Sequence, residues 1–209
     1  MVANNLYFRI YSRFGKSSAL VGGLLLLGFQ AFALTGRSPP PIEEEFTTVQ
    51  YFERGTRYYN NGQFDLALDN FSLAAMAGNS EAAIQAGLMY DFGRGVPRSF
   101  DAAGRWYSHA AEMGSEEGLY MLGHMEEYGE GRPKNFAKAY RWYAEAAALG
   151  QPNAQYALGE FYLKGKFVHA SQSNAEYWLS LAAKQCHQSA TDMLFKIRPV
   201  RAHTLKKGC

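Results

Sequence analysis

The sequence predicts an all-α fold, an α-solenoid of antiparallel helical hairpins, and three observations carry that prediction. The three tryptophans fall at 106, 142 and 178, two intervals of 36. Small residues recur at the same period, as in Gly87, Gly123 and Gly159 or Ala111, Ala147 and Ala183. Residues 82–117 and 118–153 share thirteen identities in 36 positions, where unrelated sequences of ordinary composition would share about two. A period of this length is the mark of stacked supersecondary units, none of which buries its apolar face alone. The chain has 209 residues, 47% hydrophobic and 19% charged, which excludes global disorder. A net charge of +2 gives no general case for nucleic-acid binding, and none is expected.

Residues 1–33 open the chain with Arg9, Arg13 and Lys16 and no acid, then an apolar run from Ala19 to Phe29, then Gln30-Ala31-Phe32-Ala33. That order is a secretory signal peptide, with cleavage after Ala33 favoured by the small residues at 31 and 33. The competing reading is an uncleaved anchor over residues 18–34, roughly 25 Å as a helix and just short of a ~30 Å hydrocarbon core. It would bring the chain into contact with the membrane. On either reading the body lies outside the cytoplasm, periplasmic or secreted in the first case and on the inner membrane in the second. Residues 34–47, with Pro39-Pro40-Pro41 and Glu43-Glu44-Glu45, read as an extended linker.

The body divides into 48–80, 81–116, 117–152 and 153–188. In the second of these, Ala82, Ala83, Ala86, Gly87 and Tyr90 take helical spacings over Glu81 to Phe92; Gly93-Arg94-Gly95-Val96-Pro97 then breaks the helix. A second helix over Phe100 to Met113 carries the stripe Phe100, Ala103, Trp106-Tyr107, Ala110-Ala111, and Gly114 stands where a left-handed cap is expected. Residues 117–152 repeat the arrangement. In 153–188, Phe167 replaces the second turn glycine and Cys186 the closing one, which leaves the shape of that turn and exit open. Residues 48–80 follow the same order with four residues fewer, taken from the turn at Asn60-Asn61-Gly62. Residues 189–209 supply a capping helix to Ile197 and a basic tail.

The residues Leu122-Gly123, Tyr128-Gly129-x-Gly131, Lys138-Ala139, Trp142-Tyr143 and Ala146-Ala147-x-x-Gly150 resemble the Sel1-like repeat, a 36-residue relative of the tetratricopeptide repeat. Residues 48–80 come close to a tetratricopeptide hairpin. The resemblance implies a rigid superhelix whose first helices line a concave side, and a non-catalytic adaptor that binds protein partners, here assembling or regulating an envelope complex. With consensus positions set aside, the contact candidates are Gln85, Met89, Phe92, Met121, His124, Tyr128, Glu160 and Lys164. The plainer alternative, that Met89, Phe92 and Tyr128 complete the core, stands beside this one.

No enzymatic spacing occurs among the five histidines and two cysteines, and no cofactor or metal is expected. Glu126, Glu127 and Glu130 read as a solvated acidic face, and the tryptophans as core. Cys186 and Cys209 are expected to form a disulfide, worth roughly 3 kcal/mol in an oxidising compartment; an unpaired Cys186 and a free terminal Cys209 is the alternative. Some secreted Sel1-like proteins are cysteine-rich and are associated with binding or hydrolysing β-lactams. The second functional reading, a cell-wall or β-lactam hydrolase or binding protein, follows from that association, and the scarcity of cysteine here weakens it.

Overall fold

A computed structural model describes residues 47–198. The signal or anchor segment, most of the linker, the tail from Pro199 and Cys209 lie outside the described residues. Within them the chain is helical with no strand: α1 Thr48–Asn60, α2 Phe64–Met76, α3 Ser80–Phe92, α4 Phe100–Glu112, α5 Glu116–Tyr128, α6 Phe136–Ala148, α7 Pro152–Lys164, α8 Gln172–Lys184 and α9 Gln188–Ile197. Each of the first eight has 13 residues. They pack as hairpins α1/α2, α3/α4, α5/α6 and α7/α8, and each second helix packs on the next first helix, with α9 closing on α8. No helix among the described residues is long and apolar enough to cross a membrane.

Local chemistry sets the helix starts. Asn79, Ser99, Ser115, Asn135 and Ser171 each accept, through the side chain, a hydrogen bond from the backbone N–H three residues on, satisfying a donor that the helix leaves orphaned. Thr47 and Gln50 form a reciprocal capping box at α1. The exits keep one geometry even where the sequence departs from glycine. Phe167 and Cys186 both take φ of +62°, the left-handed conformation of Gly131 and Gly150 at the equivalent places. The third repeat therefore has the turn and exit of the others and carries the steric cost of a side chain there.

The tryptophans occupy matching places, the seventh residue of α4, α6 and α8, but they are only partly buried. The centre of each hairpin is the next residue: Tyr107, Tyr143 and Leu179 are 1%, 1% and 0% exposed. Each lies against a first-helix glycine so closely that a Cβ on Gly87, Gly123 or Gly159 would stand 2.4, 2.6 or 2.6 Å from it. In the first hairpin Gly55 and Phe71 make the same contact, at 2.7 Å. Gly55 precedes its ring by 16 residues and Gly87 precedes its own by 20, so the four missing residues of the first unit come out of the turn without moving the core contact.

Between units, each first helix buries a stripe against the hairpin before it: Ala82, Ala86, Met89; Leu122 and Met125 with Gly118; Ala154, Leu158, Phe161. Gly118 shows how close that approach is, since a Cβ there would lie 2.8 Å from the Ala111 backbone nitrogen. The same positions of α1 hold Gln50, Arg54 and Arg57, a polar outer side of the kind that a terminal repeat needs.

Gly123→Ala drives a methyl group into the Tyr143 ring and should destabilise the fold by about 1–3 kcal/mol, the range for overpacking, read as a lower urea midpoint. A second test concerns α9. The His187 Nδ1 accepts the Ala190 N–H at 3.1 Å and its Nε2 lies 3.1 Å from Asn153 Oδ1, so the neutral Nε2–H tautomer satisfies both. Burial lowers its pKa below the usual 6.5. The unfolded chain then binds more protons, so stability falls as pH drops below about 6.5 and levels off once the native ring is protonated too. His187→Asn keeps a capping side chain and should flatten that part of the urea-midpoint profile against pH.

Candidate functional site

Each first helix places residues of equivalent register along one face: Glu81, Glu117 and Asn153; Ile84, Tyr120 and Tyr156; Leu88, His124 and Glu160; Phe92, Tyr128 and Lys164. The spacing i, i+3/4, i+7, i+11 keeps them on one side of the helix. Phe92 and Tyr128 end their helices 63% and 53% exposed, more than a core ring would be, and Lys164 is exposed at the third equivalent position. Tyr120, His124, Tyr156 and Glu160 are half-buried.

The rings form short stacks. His124 lies 4.4 Å from Tyr128, centroid to centroid, and 6.3 Å from Tyr120; Tyr120 in turn lies 5.8 Å from the buried Tyr143. Tyr156 stacks on His187 at 4.9 Å with planes 19° apart. Successive helices bring these rows alongside one another. Burial and the charge of Glu127 raise the Tyr128 pKa, and Glu160 on the next first helix adds to the rise. Burial, then Glu117, pushes the Tyr120 hydroxyl up to about 12. Lys164 is held charged by its hydrogen bond to Glu160. At the start of α5, burial raises the Glu117 carboxyl; the hydrogen bond from Gln151 opposes this and the charges of Glu81 and Glu116 add to it.

Of the residues expected here, Phe92, His124, Tyr128, Glu160 and Lys164 share the face. Gln85 is half-buried and donates to Glu81 at 2.8 Å, and Met121 is half-buried against the core. Met89 is not on the face: it is 1% exposed, because its register is the inter-unit stripe that Met125 and Phe161 continue. Sequence reasoning missed Tyr120, Tyr156, Glu117 and His187. Tyr120 and Tyr156 stand 36 apart and four residues before His124 and Glu160, a periodic signal that points to both.

The acidic cluster is a correction. Glu126 and Glu127, expected on a solvated face, are 3% and 7% exposed, and cations from the turns compensate them. Arg132 Nη1 reaches Glu126 at 3.0 Å. Glu127 accepts from Lys166 Nζ at 2.7 Å and from the Tyr143 hydroxyl at 2.9 Å. Glu130, less deeply buried, has His124 Nδ1 at 3.3 Å. Tyr107 sits 3.4 Å from Asp91 in the same register as Tyr143 and Glu127, while the third unit substitutes Leu179 and Leu163, trading a polar pair for an apolar one. These carboxylates hold hairpins together. Among the described residues no group of three His, Cys, Asp or Glu side chains could hold a metal ion.

The face can therefore stack on aromatic or guanidinium planes, accept hydrogen bonds and pair with charge. Comparison with known proteins places it in context. The Sel1 repeat family matches residues 80–115, 116–151 and 152–185, each match beginning where α3, α5 and α7 begin. No curated protein sequence matches the chain. A Sel1 repeat protein of Oxalobacter formigenes is 33% identical, with a TM-score of 0.57, covering 62% of this chain and 97% of that one. The protective antigen c5321 of uropathogenic Escherichia coli, which displays the same repeat fold, is 23% identical with a TM-score of 0.66; the match covers 78% of this chain and 37% of the antigen. The immunity protein Pa5087 of Pseudomonas aeruginosa is 20% identical with a TM-score of 0.54, over 78% of this chain and 62% of that one; this likeness and that to c5321 bear on the fold alone. Sel1 repeat proteins are generally protein-interaction scaffolds. Three consecutive matched units spanning half the sequence make this chain a member of the Sel1 repeat family.

Proposed function

We propose that the protein is a non-catalytic adaptor, exported to the periplasm or held on the inner membrane, that assembles or regulates an envelope complex by docking a protein segment on its first-helix face. The observation that carries the docking is the exposure of Phe92 and Tyr128, at 63% and 53%, at equivalent ends of consecutive helices. Large rings left in water at a repeated place, beside half-buried Tyr120, His124 and Tyr156, suit an interface better than a core. A preformed helical stack also orders little of itself when it binds. Export rests on the basic, apolar and small-residue order of residues 1–33, and in an oxidising compartment Cys186 and Cys209 are proposed to be bridged.

A photo-crosslinking amino acid at Tyr128 should capture a partner protein in intact cells, and one at Arg105, exposed on α4, should not. Capture at 105 alone would overturn the docking face. Fractionation with N-terminal sequencing should recover either a chain beginning at Leu34 from the periplasm or an intact chain from the inner membrane, and without reductant neither cysteine should alkylate. An intact chain with two reactive thiols in the cytosol would remove the export reading.

A further inference from the structure

The first and second helices of the hairpins differ in charge. Along α3, α5 and α7 stand seven carboxylates and one lysine, Lys164, whereas α4, α6 and α8 carry four acidic and four basic residues. Several of the first-helix carboxylates are spent on internal pairing: Glu126 with Arg132, Glu127 with Lys166, Asp91 with Arg98, and Glu160 with Lys164. Glu81, Glu116 and Glu117 have no ion-pair partner among the described residues; Glu81 and Glu117 take only a hydrogen bond from Gln85 and Gln151.

Glu117 and Tyr120 lie three apart on α5, so the uncompensated charge borders the aromatic row. Glu81 occupies the equivalent position of α3. A face that joins exposed aromatic planes to unneutralised carboxylates complements one kind of side chain, an apolar stem ending in a cation. The stem covers ring surface, and the cation meets a carboxylate or a ring face. An acidic segment would meet repulsion from the same carboxylates, so the arrangement discriminates as well as attracts.

We infer that the first-helix face takes an extended peptide segment carrying lysine or arginine side chains, with the cations against Glu81 and Glu117 and the stems across Tyr120 and Tyr128. This rests on the docking face proposed above and specifies what docks there. Long-range attraction toward such a face also raises the association rate and makes binding fall with added salt.

The test uses the full chain and two fluorescein-labelled twelve-residue peptides, one alternating lysine with alanine and the other glutamate with alanine, followed by fluorescence anisotropy. The lysine peptide should bind and weaken as salt is raised, and the glutamate peptide should not bind. Glu81→Gln with Glu117→Gln should weaken the lysine peptide about fivefold, the scale of a modest loss of paired charge. Glu112→Gln with Glu145→Gln on α4 and α6 changes net charge equally and should leave binding unchanged. Tyr128→Ala, with its fold checked by an unchanged urea midpoint, should also weaken it. Equal losses in the two double variants, or no binding of the lysine peptide, would overturn the inference. Sequencing the segment captured at position 128 separates the two proposals: a neutral or acidic segment removes the cationic partner and leaves the docking face, while no capture at 128 removes the docking face itself.

Discussion

The structure depends on one contact, repeated four times: a first-helix glycine laid against a large side chain at the middle of the second helix. Because the ring or leucine occupies the space that a Cβ would need, the two helices approach to a distance that no other residue permits. That approach fixes the depth of each hairpin, and the depth fixes where the next first helix can land. The alanines flanking each ring, such as Ala103 and Ala110 around Tyr107 and Ala139 and Ala146 around Tyr143, are all 0% exposed, so the close packing extends along the helix pair. The unit accommodates different large side chains, as Phe71, Tyr107, Tyr143 and Leu179 show, each opposite a glycine.

How much of this was legible in the sequence depends on how local each determinant is. Repeat length, helix bounds and the capping helix could be read because glycine, proline and capping residues act on their own neighbourhood, and because a period of 36 reinforces each signal. The conservation of turn geometry at Phe167 and Cys186 was not legible, since it requires the surrounding units to impose a left-handed conformation that those residues disfavour. Nor was the burial of Glu126 and Glu127, which depends on Arg132 and on Lys166, 39 residues beyond Glu127. The period reads the tryptophans as core, yet the adjacent Tyr107 and Tyr143 hold the centre. On the candidate face, Met89 was misplaced because a helix of small residues shows little amphipathic contrast, and its inner and outer sides separate only when the neighbouring hairpin is in place.

Electrostatics divides labour between the two ends of the first helices. Turn cations neutralise the carboxylates at the C-terminal ends of the first helices, where they would otherwise sit desolvated and unpaired. The N-terminal ends keep their acids without cations, at Glu81, Glu116 and Glu117, where the helix dipole makes negative charge tolerable. The first-helix face thus keeps its acidic character at one end and is locked at the other, while the second-helix side stays balanced.

The reach of the turn residues gives each junction its own identity. Arg94 folds back on Tyr59 of the first hairpin and Lys166 on Glu127 of the third, but Glu130, in the same register, turns to His124 of its own unit. Units that look interchangeable by length therefore differ at this position, two of the three reaching back to their predecessors and the middle one not. Unequal crossing-over between the copies, the ordinary route by which tandem arrays grow or shrink, would put the wrong key in the lock and strand a carboxylate such as Glu127 beside another acid. Charge as well as shape therefore tells one unit from another in an array whose lengths are nearly equal.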